Sequence, residues 1–156
     1  MHTVKLYIED YLAEYLIGKW GIDESGLVQI PYEVYLIHDL CALTVKKNRD
    51  KVEPSFNIQI ILPNIKTINK NPAIYNHMSR RGSKVFEKQV RSFFRADLHE
   101  FIDQKKHEDG ISIKDTCYIF CELYNIESFN SDSMAKNYNR WRNRIRAIRK
   151  RNPISR

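Results

Sequence analysis

Between Ser83 and Gly110 the residues Phe86, Val90, Phe93, Phe94, Leu98, Phe101 and Ile102 recur at helical spacing. They fall on one face of a long amphipathic helix that Gly110 stops. An apolar stripe this rich in phenylalanine has to be covered, so the chain must build other layers against it. At 156 residues it is long enough to do so.

The sequence before that helix has a different rhythm. TVKLYI places Val4, Leu6 and Ile8 on one side, the period-2 pattern of a half-buried strand. DYLAEYLIGKWG returns to helical spacing through Tyr11, Leu12, Tyr15 and Leu16, with Gly21 as its C-cap. LVQIP reads as a short strand ended by Pro31. EVYLIHDLCALTV is helical through Val34, Ile37, Leu40, Cys41 and Thr44, and FNIQIILP is a strand stopped by Pro63. The polar, Asn-rich stretch NIKTINKNPAIYNHMSRRG, interrupted by Pro72 and Gly82, reads as a connection. The expected fold is α+β. A small mixed α/β module (residues 1–63) leads through a linker (64–82) to an all-helical domain (83–152).

Charge divides along the same line. Residues 1–63 hold six Lys and Arg against nine Asp and Glu, a net −3, while residues 64–156 hold twenty against ten, a net +10. The basic half is therefore expected to meet a polyanion, and the acidic half to pack, dimerise or bind a protein partner. No apolar run approaches the roughly 18 residues of a membrane span, so no membrane contact is expected. The N-terminus gains acids within its first residues, unlike a secretory signal or transit peptide. Three cysteines at no framework spacing suit the reducing cytoplasm.

The basic half ends in two further helical patterns. SIKD, residues 112–115, fits a capping box in which the Ser112 hydroxyl and Asp115 carboxylate satisfy free amides. Ile113, Cys117, Phe120, Cys121 and Tyr124 then share one face. Asn125 sits where a left-handed residue is needed, with Ile126 tucking back beneath the turn. Ser131, Asp132 or Ser133 supplies the N-cap of the final helix. There Met134, Tyr138, Trp141, Ile145 and Ile148 form a stripe about 80° wide, a core face. Lys136, Asn139, Arg140, Asn143, Arg146 and Lys150 occupy the opposite side, with Arg142 and Arg144 on the flanks. From Lys136 to Arg156 there are nine bases and no acid. Mutual repulsion on that scale is a cost unless an anionic partner is bound.

Residues 112–150 resemble a helix-turn-helix DNA-binding unit: a short helix, a turn closed by Asn and Ile, then a basic helix. The turn departs from the common form in holding Asn instead of Gly and in being longer. The resemblance implies a second helix in the major groove. Asn139, Arg140 and Asn143 would meet base edges, and Lys136, Arg142, Arg144, Arg146 and Lys150 would meet phosphates. The small, Asn- and Lys-rich chain has the look of a bacterial mobile-element or phage protein. The expected function is non-catalytic binding of double-stranded DNA, as a transcriptional regulator or accessory factor. An RNA-binding module is one alternative, and a structural protein with a basic docking helix is the other.

Catalytic and metal chemistry find little support. The chain has no P-loop, GxGxxG, HExxH or GxSxG. Asp97, Glu100 and Asp103 share one side of the long helix, where interleaved Lys and Arg favour ion pairing. Cys117 and Cys121 lie one turn apart, with His99 and His107 as possible co-ligands for zinc. Packing of two small apolar residues is the stronger reading, and no metal or cofactor is expected. His38 reads as a half-buried, hydrogen-bonded histidine. Tyr7, Tyr11 and Tyr15 read as packing residues beside acids that would repel phosphates.

Overall fold

A computed structural model of the chain describes residues 1–50, 52–64 and 69–152. The element order is β1 (His2–Leu6), α1 (Asp10–Trp20), β2 (Leu27–Val28), α2 (Tyr35–Leu43), β3 (Ile58–Leu62), α3 (Arg80–Glu108), α4 (Ile113–Tyr124) and α5 (Ser131–Arg151). The fold is α+β, a small mixed sheet followed by helices.

The strand richest in β-branched residues takes the middle of the sheet, because only a central strand must satisfy both its edges. The order is β1-β3-β2, with β1 antiparallel and β2 parallel to β3. Ile60 lies opposite Val4 on one side and Val28 on the other, and all three are buried. Val4, Leu6 and Ile8 all point inward, as their alternation requires. Gly21 does cap α1, donating its N–H to the Ile17 carbonyl at 2.7 Å, but in an extended conformation instead of a left-handed one.

One sequence boundary shifts. The long helix starts at Arg80, where Ser79 Oγ accepts the Gly82 N–H at 3.0 Å. Gly82 therefore does not interrupt the chain but lies buried in the first helical turn. A Cβ there would sit 2.6 Å from Met78 Sδ, so the glycine serves a close approach. Within the expected linker, residues 65–68 lie outside the described residues. His77 pairs with Val45 through two backbone hydrogen bonds of 2.8 and 3.1 Å, and Met78 is buried.

The α3 stripe receives its cover from both halves of the chain. Phe86, Val90, Phe94, Leu98 and Ile102 are all buried, and α1, α2 and α4 pack against the helix. The Phe94 ring lies 5.3 Å from that of Tyr11, 5.1 Å from Tyr15 and 5.7 Å from Phe120. One cluster of buried residues extends from Val4 to Tyr138. Glu87, a buried carboxylate on α3, accepts the Glu9 backbone N–H at 3.1 Å and pairs with Arg91 at 3.1 Å, tying α3 to the start of α1.

Candidate nucleic-acid interface

The presentation of α5 begins at the cap of α4. Ser112 Oγ accepts the Asp115 N–H at 3.1 Å, as the capping-box spacing requires. The Asp115 carboxylate takes the Ser112 hydroxyl at 2.7 Å instead of a free amide. The helix ends at Asn125, which is left-handed at φ 51° and ψ 47°. Ile126 then donates to the Cys121 carbonyl at 2.9 Å, and Asn125 to that of Glu122 at 3.4 Å, the paired closure of a Schellman turn. Ile126 is buried. The turn is held from outside by α1: Glu14 accepts the N–H groups of Glu127 and Ser128 at 2.9 and 3.0 Å, and the Tyr11 ring stacks on Phe129 at 4.5 Å.

Asn130, not Ser131, Asp132 or Ser133, caps α5; its side chain accepts the Asp132 N–H at 2.7 Å. The cap lies one residue earlier because Ser131 is already helical, leaving Asn130 in the extended geometry that a cap needs. Met134 is buried, with its sulfur 3.6 Å from that of Cys121. Tyr138 is buried and donates its hydroxyl to Asp103 on α3. Burial, then that carboxylate, push the Tyr138 phenol up to about 12.

Beyond Tyr138 the core face stops. Trp141 is 38% exposed and lies on His99 at 4.4 Å, Ile145 is half-buried and Ile148 is 56% exposed. The five-residue stripe expected as a core face is thus covered over its first two members only. A helix from Ser131 to Arg151 is about 30 Å long, and α3 and α4 supply cover for only its first half.

The opposite side is open. Lys136, Asn139, Arg140, Asn143, Arg144, Arg146 and Lys150 are all exposed, while Arg142, on the flank, is half-buried. The sole acid of α5, Asp132, meets Lys114 of α4 at 3.3 Å. No Lys or Arg of α5 joins an ion pair among the described residues. The face therefore carries uncompensated positive charge with amide donors and acceptors between the guanidiniums, a surface suited to phosphates and base edges. Arg149 and Arg151 are also exposed and extend the basic flanks. Their helical angles place them beside Arg142 and Arg144, a signal already present in the spacing although they are not among the expected contact residues.

Several of the remaining candidates have partners within the fold. Asp97 accepts the Tyr15 hydroxyl and Lys19 Nζ, the latter at 2.7 Å, so two of the three α3 carboxylates fasten neighbouring helices. Burial works against the Lys19 charge, but Asp97 outweighs it and the ammonium pKa is raised. Cys117 and Cys121 are buried on the inner face of α4, and burial pushes the Cys117 thiol up to about 12. His38 is exposed, not half-buried, because it faces out of α2; its Nε2 lies 2.9 Å from the Tyr32 carbonyl. Tyr15 is buried, Tyr11 half-buried and Tyr7 exposed. Among the described residues no helix is long and apolar enough to cross a membrane. No family model, curated protein or solved structure matches the chain.

Proposed function

We propose that this chain is a non-catalytic DNA-binding protein of the cytoplasm, a regulator or accessory factor that lays α5 in the major groove. The observation that carries this reading is the outer face of α5, where exposed bases with no carboxylate partner alternate with Asn139 and Asn143. A helix held by a capped turn to α1, α3 and α4 gives those side chains a rigid base, as a helix-turn-helix does. Phosphate contacts from Lys136, Arg144, Arg146 and Lys150 supply most of the affinity. Asn139, Arg140 and Asn143 supply the preference for sequence.

The test is fluorescence anisotropy against duplex DNA and a structured RNA pool at about 50 and 200 mM salt. Engaging the four phosphates these residues reach should weaken duplex binding roughly 10²-fold across that range. Arg140→Ala should relax the preference among duplexes, while Lys150→Ala should lower the salt slope by about one on every sequence. RNA outcompeting duplex would transfer the surface to an RNA-binding role. Flat, weak curves with both would end the nucleic-acid reading.

A further inference from the structure

We infer that the distal half of α5 is also a self-association surface: two copies of this chain exchange these halves, each laying Ile145 and Ile148 into the corner between α3 and α5 of the other. The stripe is continuous with the buried Met134 and Tyr138, yet its own chain leaves Ile148 56% exposed. The receiving corner is an open groove of about 930 Å³ along the C-terminal half of α3. The small residues Ser92 and Ala96 are among those that line it, as are His99 and Trp141, whose rings lie 4.4 Å apart. A branched aliphatic side chain entering there loses water against the Trp141 ring and the edge of His99.

Charge selects the occupant. Glu100, Asp103 and Glu108 line the groove against one base, Arg95. Arg142 and Arg149 border one side of the α5 stripe, and Arg144 and Arg151 the other. Laying one copy's stripe in the other's groove therefore brings guanidiniums to carboxylates. Pairing the two stripes directly would instead oppose rows of arginine and leave the acids unmatched. The exchange is reciprocal, so it closes on a two-fold axis instead of running on as a filament. It does not rest on the DNA-binding reading, because the stripe lies on the side of α5 opposite Asn139, Asn143 and Lys150, and the two surfaces share only Arg144 on the flank.

Sedimentation velocity of the full chain, over a concentration series at low salt, tests the exchange. The wild type should reach twice the chain mass. Ile148→Glu should stay at the monomer mass with an unchanged circular dichroism spectrum, since the side chain carries no core contact. Glu100→Lys with Glu108→Lys should also be monomeric. An equimolar mixture of the two variants should regain a weaker dimer, because it keeps one intact stripe and one intact groove. A wild type that is monomeric throughout would overturn the exchange, as would a dimer indifferent to Ile148→Glu. So would a dimer broken by Leu123→Glu on the outer face of α4, or a mixture that stays monomeric. Arg140→Ala should leave the dimer intact while changing DNA binding, which keeps failure of the two readings apart.

Discussion

Helices α3 and α5 follow the same rule and end differently. Each carries a stripe of large apolar residues at helical spacing against a charged opposite face. On α3 five of the seven stripe residues are buried beneath α1, α2 and α4, from Phe86 to Ile102, with Phe93 and Phe101 half-buried between them, while on α5 full burial ends at Tyr138. Periodicity therefore reports which face a helix would bury, whereas the amount it does bury depends on what the rest of the chain can bring to it. The difference also divides the work. α3 is the element on which the fold is assembled, and α5 is the element the fold holds out.

The sharpest way to break this comparison is to truncate one side chain on each stripe and compare the costs. Phe94→Ala removes a ring that touches Tyr11, Tyr15, Phe120 and Phe129, and should cost about 3–5 kcal/mol. Ile148→Ala should stay within about 0.5 kcal/mol. Urea unfolding of dilute protein measures both. Similar losses at the two sites would mean that the α5 stripe is covered after all.

The joint between α1 and α4 is the next largest effect expected. At Gly18 a Cβ would fall 2.2 Å from the Tyr124 carbonyl oxygen, a backbone atom with no rotamer to escape into. Gly18→Ala should therefore cost about 1–3 kcal/mol, although alanine is the better helix former. A gain in stability would show that the two helices can separate freely, and that the turn leading to α5 is not fixed from α1.

Gly18 also marks the limit of what was legible beforehand. The alternation of Val4, Leu6 and Ile8, the α3 stripe, the Ser112 cap and the left-handed Asn125 are local patterns, governed by residues within a turn of one another. They could be read from spacing alone. The roles of Gly18 and Gly82 depend on which backbone or side chain approaches from elsewhere, and Asp103 acquires its role only when Tyr138 arrives. The extent of cover over Trp141, Ile145 and Ile148 is set by where α3 and α4 lie, which no periodicity within α5 encodes. The bases on its outer face were legible because helical angle alone places them.

A smaller effect belongs to the turn between α4 and α5. Asn125 holds φ 51°, which costs an ordinary L-residue about 1–2 kcal/mol and asparagine less. Asn125→Ala should lower stability by about 1 kcal/mol in urea titration, and Asn125→Gly should not. If both variants fell equally, the Asn125 side chain, and not its backbone geometry, would be what holds the turn.

The smallest effect lies where the covered half of α5 gives way to the uncovered half. Burial holds the His99 pKa below its ordinary value of 6.5, with Asp103 pulling it back up and Arg95 adding to the depression. Tyr138 and Trp141 face the ring from α5. In the folded state His99 is thus harder to protonate than in the unfolded chain. Below pH 6.5 the unfolded state binds more protons, so stability falls as the pH is lowered and levels off once the folded-state value is passed. Above pH 6.5 both states are neutral and the histidine contributes no slope. Urea midpoints measured between about pH 8 and pH 5 should show this fall, and His99→Gln should flatten it. An equally steep fall in His99→Gln would assign the slope to other groups, and would remove the histidine from the contact at which α5 leaves the core.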